Sequence, residues 1–176
     1  MRTVLGAYLV PALKPHLAVV AALVSIIAAT TAVARETVPI DPTYQAGSIV
    51  IRTSERRLYL VLGNGTALRY RVAVGRPGKQ WFGRVVVDGK YRSPAWTPPL
   101  EMRRGSGVAI IPGGSPANPM GAAALTLAGD RYAIHGTNRP SSIGTFASAG
   151  CVRMLNEDVL ELFDKVSIGT PVLVQK

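Results

Sequence analysis

The chain has 176 residues, 48% of them hydrophobic and 17% charged, with 20 Lys and Arg against 10 Asp and Glu for a net charge of +10. Such a balance favours an anionic partner. The basic residues are scattered (Arg52, Arg56, Arg57, Arg69, Arg71, Arg84, Arg103, Arg104), aromatics make up only 6%, and no helix-turn-helix, zinc or RNA-binding signature is present. These features exclude nucleic acid as the expected partner and point to a carboxylate- or phosphate-rich cell envelope.

The N-terminus carries Arg2 and Lys14, then an apolar run over residues 17–31, and closes on Ala32-Val33-Ala34 before Arg35. That order of positive, apolar and small-x-small segments reads as an export signal. The run falls slightly short of the roughly 18–20 residues that span a bilayer, so residues 1–34 are expected to be a signal peptide or an N-terminal membrane anchor. Either places the remainder outside the cytoplasm, in the periplasm or cell envelope of a bacterium. A single cysteine, Cys151, excludes an internal disulfide framework and leaves an unpaired thiol to be explained.

Residues 35–47, with Pro39, Pro42 and Gly47 and no periodicity, read as a linker, and residues 48–176 as one domain. Strands are expected at 49–52, 57–62 and 67–74, the last two joined through Asn64-Gly65, which tolerates the positive φ values of a tight hairpin turn. Asp88-Gly89 predicts a second hairpin between 84–87 and the residues from 90 onward. Residues 93–119 are too rich in Pro and Gly for a helix and read as a functional wall or lid, with one strand at 108–111.

Short strands follow at 124–127 and 132–134. One helix is then expected, with Asn156 as N-cap, Glu157 and Asp158 in the first turn, Lys165 in the last, and a core stripe of Val159, Leu160, Phe163 and Val166. A final strand covers 172–174. The architecture is mostly β with one C-terminal helix.

His135 is the only histidine outside the N-terminal apolar segment, and it lies 16 positions before Cys151. A lone cysteine is by itself as readily a buried hydrophobe. Here Ser148-Ala149-Gly150 precede it, three small residues that let backbone N–H groups converge as an oxyanion needs. Arg153 and the nearby helix start are expected to favour the thiolate. His135 ends a strand before Gly136, so a rigid support can hold its imidazole.

The runs His135-Gly136-Thr137-Asn138, Ser141-Ser142-Ile143-Gly144 and Ser148-Ala149-Gly150-Cys151-Val152-Arg153-Met154 resemble the active-site signature of the L,D-transpeptidase catalytic domain, the YkuD type. The likeness extends back through Ile111-Pro112-Gly113-Gly114 and Trp96-Thr97-Pro98-Pro99 and forward through Asn156-Glu157-Asp158-Val159. It implies a mainly β fold, a YkuD-like mixed β-sandwich with the C-terminal helix packed near the active site. It also implies Cys151 as nucleophile, His135 as proton donor and acceptor, Gly136 as the backbone that orients it, and the amides of Gly150 and Cys151 as oxyanion donors.

Arg153, Tyr132, Asn138 and Trp96 are the candidates for substrate contact. The implied reaction is two-step acyl transfer on peptidoglycan stem peptides, giving 3→3 links through a Cys thioester. Water as acceptor would make the protein an L,D-carboxypeptidase, and an envelope lipoprotein as acceptor would give protein-to-peptidoglycan links. A non-catalytic wall-binding module is the alternative from another class. No metal or cofactor is expected. Many family members carry a histidine where this chain has Ala149, a difference expected to be tolerated because the upstream histidine is present.

Overall fold

The computed structural model describes residues 35–98, 109–129 and 131–176. The short apolar runs form eleven strands among them: β1 (Glu36–Pro39), β2 (Ile49–Arg52), β3 (Arg57–Gly63), β4 (Thr66–Arg71), β5 (Val74–Gly75), β6 (Gly83–Arg92), β7 (Ala123–Leu127), β8 (Tyr132–His135), β9 (Phe146–Ser148), β10 (Val152–Arg153) and β11 (Pro171–Gln175). One α-helix, α1 (Asn156–Lys165), lies between β10 and β11.

Nine strands make one sheet in the order β1-β4-β3-β2-β11-β6-β7-β8-β10, and β5 pairs with β9 apart from it. The pairs β2–β11 and β8–β10 are parallel, so the sheet is mixed. A single buried cluster draws Ile49, Ile51, Leu58 and Leu60 from one half of the sheet, Val87, Leu125, Leu127, Ile134 and Val152 from the other, and Val159 and Leu162 from α1. The sheet therefore folds back on itself, and its two halves are the layers of a mainly β sandwich. Burying each such aliphatic side chain is worth roughly 1.5–3 kcal/mol.

At Asn64-Gly65 the φ angles are +51° and +70°, and the chain turns from β3 into β4 as the sequence predicts. Asp88-Gly89 does something else. Instead of turning back, β6 runs straight through it, pairing with β11 before this point and with β7 from Val87 onward, with a register shift between Val87 and Gly89. The Thr126 hydroxyl donates to the Asp88 carboxylate, and a Cβ on Gly89 would lie 2.6 Å from that hydroxyl. A bulge with a glycine is how one strand bends from one layer into the next.

The 35–47 segment is not a free linker. β1 pairs antiparallel with β4, and Val38 and Ile40 join Val50, Tyr59, Val61 and Ala67 in a second buried cluster on the other face of the sheet. Four residues are too few for a readable alternation. Of the strand expected at 108–111, residues 109–111 are described and among them Ile111 pairs, through a single bridge to Trp96; residues 99–108 lie outside the described residues. So does the 1–34 segment expected to direct export. Among the described residues no helix is long and apolar enough to cross a membrane.

α1 buries Asp158, Val159 and Leu162, with Leu160 and Phe163 packed partly against the core. Its N-cap is Leu155, without a side-chain cap bond, so the expectation that Asn156 caps the helix fails. The Asn156 side chain is committed elsewhere.

Candidate active site

β10 runs parallel to β8, with Val152 opposite Ile134 and Arg153 opposite His135. Side chains alternate across a strand. Ile134 and Val152 enter the core, which puts Ala133, His135, Cys151 and Arg153 on the opposite face. There His135 and Cys151 line one cavity of about 430 Å³ together with Asn138, Arg139, Ala149 and Arg153.

The imidazole of His135 is only 5% exposed, and its Nδ1 donates to the carbonyl of Gly136 at 2.7 Å. A carbonyl only accepts, so the neutral ring carries its proton on Nδ1 and leaves Nε2 bare. Burial pushes the His135 pKa down to about 4, helped by the Arg153 charge and opposed by the backbone of Gly136 and Pro119. The ring is neutral at physiological pH.

Burial also pushes the Cys151 thiol up, against a hydrogen bond from the Ala133 backbone and the Arg153 charge. Arg153 favours the thiolate, as expected, but desolvation outweighs its pull. Both shifts favour the neutral thiol and imidazole over a thiolate–imidazolium pair.

The turn before Cys151 is fixed by contacts that the sequence does not announce. Ser148 is buried, its hydroxyl donating to the Cys151 carbonyl at 2.5 Å and accepting from the Gly150 amide at 3.0 Å. Gly150 has φ +132°, and a Cβ there would lie 2.3 Å from the Tyr132 ring. Tyr132 stacks on Trp81 with ring centroids 4.8 Å apart, and the Trp81 indole N–H donates to the Gly150 carbonyl at 3.0 Å. Trp81 thus braces the peptide just before the thiol. Because Gly150 spends its amide on Ser148, the expected pair of oxyanion donors is reduced, and the Cys151 amide is the one whose peptide plane Trp81 sets.

Of the remaining candidates, Trp96 is half-buried and lines both the first cavity and a second one of about 400 Å³, which holds Arg131 and Tyr132 and also reaches Cys151. Tyr132 touches that second cavity while bracing Gly150. Asn138 donates to the Ala117 carbonyl at 3.0 Å, tying the loop after β8 to the wall. The wall itself hangs on Asn118, a residue the sequence did not single out: buried, it donates to Pro94 at 2.8 Å and Pro112 at 3.1 Å and accepts from Met120 at 2.8 Å.

A larger cavity, about 660 Å³, lies elsewhere, between Tyr44, Val50, Arg84, Val86 and Leu173. Among its described lining residues Arg84 is the only charged one, and its hydroxyls come from Thr43, Tyr44 and Ser48.

His135 ends β8, Cys151 immediately precedes the parallel strand β10, and both line one cavity of a mainly β sandwich. The family is explicit: the L,D-transpeptidase catalytic domain (YkuD) matches residues 46–174, and the chain belongs to it. It is 42% identical over 135 residues to the probable L,D-transpeptidase YbiS of Escherichia coli, an alignment covering 70% of this chain and 43% of that protein. It is 33% identical over 137 residues to the putative L,D-transpeptidase YkuD of Bacillus subtilis, covering 77% of this chain and 70% of the relative. The chain thus spans less than half the length of the E. coli relative. Its fold matches the crystal structure of L,D-transpeptidase 3 from Mycobacterium tuberculosis in complex with a faropenem-derived adduct, with TM-score 0.57, 18% identity, and coverage of 73% of this chain and 60% of that one.

Proposed function

We propose that the protein is a peptidoglycan L,D-transpeptidase that works outside the cytoplasm through a Cys151 thioester. The observation that carries the reading is the shared face of β8 and β10, where His135, with Nδ1 engaged by Gly136, lines the same cavity as Cys151.

In this reading Nε2 of His135 takes the thiol proton as Cys151 Sγ attacks the carbonyl between the third and fourth residues of a tetrapeptide stem. The C–N bond breaks, the proton passes from imidazolium to the departing D-Ala amine, and the acyl group stays on sulfur. An amine from a second stem then attacks the thioester, His135 takes its proton, and the thiol is restored. The Cys151 amide supports the oxyanion. Arg139 and Arg153 suit the stem's carboxylates, and the two cavities meeting at Cys151 suit a donor and an acceptor entering from different sides. Ala149, exposed at the rim of the cavity, takes no part.

The test is mass spectrometry of products after incubating the protein with tetrapeptide muropeptides. A 3→3 dimer that disappears with Cys151→Ser supports the reading. Tripeptide alone would make the protein an L,D-carboxypeptidase, and a product in which a lipoprotein amine is the acceptor would make it a protein-anchoring enzyme. No product, with sacculus binding retained, would reduce it to a wall-binding module.

A further inference from the structure

Asn156 opens α1, whose N-cap is the neighbouring Leu155. The Asn156 Oδ1 accepts the backbone N–H groups of Ala122 and Thr137, each at 3.0 Å. The same oxygen is packed so closely that a Cβ would fall 2.1 Å from it at Gly121 and 2.2 Å from it at Gly136. Two backbones have been thinned to glycine to let one amide oxygen between them.

The Thr137 N–H and the Gly136 carbonyl belong to one planar trans peptide, so they point in opposite directions. With Oδ1 holding the N–H on one side, the carbonyl is directed to the other, where His135 Nδ1 meets it at 2.7 Å. The neighbouring anchors do not set this plane: the Gly136 amide donates to Ala123 at 3.0 Å and the His135 carbonyl accepts from Met154 at 2.8 Å, each fixing the peptide before or after its own residue. Gly136 is itself the most permissive residue for a peptide rotation. The Pro119 backbone also acts on the ring, favouring its protonated form.

We propose that Asn156 is a positioning residue for the reaction: through the Gly136–Thr137 peptide it holds the Gly136 carbonyl on His135, keeping the proton on Nδ1 and Nε2 bare for the thiol. The bonds run in series from imidazole N–H through the peptide to the Asn156 oxygen, so each polarises the next. The inference rests on the reading of His135 as the base, but its first readout does not.

That readout is 15N imidazole NMR of the full chain, whose two histidines are distinguished by the signal lost in His135→Gln. The Nδ1–H tautomer is expected in the parent protein, with loss of that single tautomer in Asn156→Ala and its recovery in Asn156→Asp, whose carboxylate accepts the same two amides. Acylation by a carbapenem should fall about 10- to 100-fold in Asn156→Ala near neutral pH, within the usual worth of a positioned base. The deficit should shrink at high pH, where the thiol ionises unaided.

If Asn156→Ala fails to fold, the near-isosteric Asn156→Leu removes the acceptor while filling its space and leaves the Gly136 carbonyl an amide, and the same tautomer change is expected. A folded variant of either kind with the Nδ1–H tautomer and the acylation rate intact overturns the proposal. So does a fall in melting temperature without a tautomer change, since that is what a mere staple between Ala122 and Thr137 would give. If instead His135→Gln acylates normally, the reading of His135 as base falls while the tautomer result stands.

Discussion

His135 and Cys151 are both driven toward their neutral forms by burial, and the two shifts together decide how the thiol must be activated. With the histidine pKa lowered and the thiol raised, proton transfer at rest is uphill. Alkylation of Cys151 by iodoacetamide is therefore expected to rise steadily with pH through and beyond the ordinary thiol range of about 8.5, without a neutral plateau. A plateau beginning below about pH 6 would mean a preformed thiolate–imidazolium pair. In the acylation reaction, His135→Ala should lose more at neutral than at high pH, and a pH-independent loss would give His135 another role. Trp81 offers a separate check. Trp81→Phe keeps a ring against Tyr132 but removes the donor to the Gly150 carbonyl. Carbapenem acylation should slow by about tenfold, the worth of one ordinary hydrogen bond, with a fall of only a few degrees in melting temperature. An unchanged rate would show that Gly150 is held by its other contacts alone.

Among the elements, β1 is the one whose removal tests a boundary. A chain beginning at residue 48 would lose the strand that covers the β4 edge, and with it Val38 and Ile40 from the second cluster, baring Tyr59 and Val61. Two lost aliphatic side chains at roughly 1.5–3 kcal/mol each predict a large drop in the urea midpoint against a chain beginning at residue 35. Equal midpoints would restore the linker reading. Strands bounded by strong turn signals, such as β3 and β4 around Asn64-Gly65, are legible because the turn chemistry and the apolar alternation agree. β6 is not, because Asp-Gly serves equally for a tight turn and for a bulge, and the choice is made by β11 and β7 pairing on either side of it. The site divides in the same way. His135 and Cys151 stand out by scarcity and by their surrounding motif. Trp81 and Asn156 do not, because the backbone groups they hold lie 69 residues away for Trp81 and as far as 34 for Asn156, and no local pattern encodes such a contact.

Over the whole molecule the excess of positive charge is unevenly spent. Glu36 pairs with Arg69, Glu55 with Arg52, Asp164 with Arg92, and Glu157, Asp158 and Glu161 all face Arg35. These acids are paired within the fold, three of them sharing Arg35, with Lys165 also near Glu161. By contrast, the cavity at Cys151 carries Arg139 and Arg153 with no acidic residue among its described lining residues. Positive charge is therefore left uncompensated at this cavity, and if the proposed function holds it should raise the local concentration of a stem peptide's carboxylates there. Screening sets the test. The field reaches about 10 Å at 0.1 M salt and about 3 Å at 1 M, so retention on isolated peptidoglycan sacculi is expected to fall several-fold across that range. Arg139→Gln, at an exposed position on the cavity rim, should weaken retention at low salt and flatten the salt dependence without altering the melting temperature. If retention is the same at both salt concentrations, the positive charge is incidental to wall binding, and the apolar wall formed by Trp96, Ile111 and Met120 would have to supply the affinity instead.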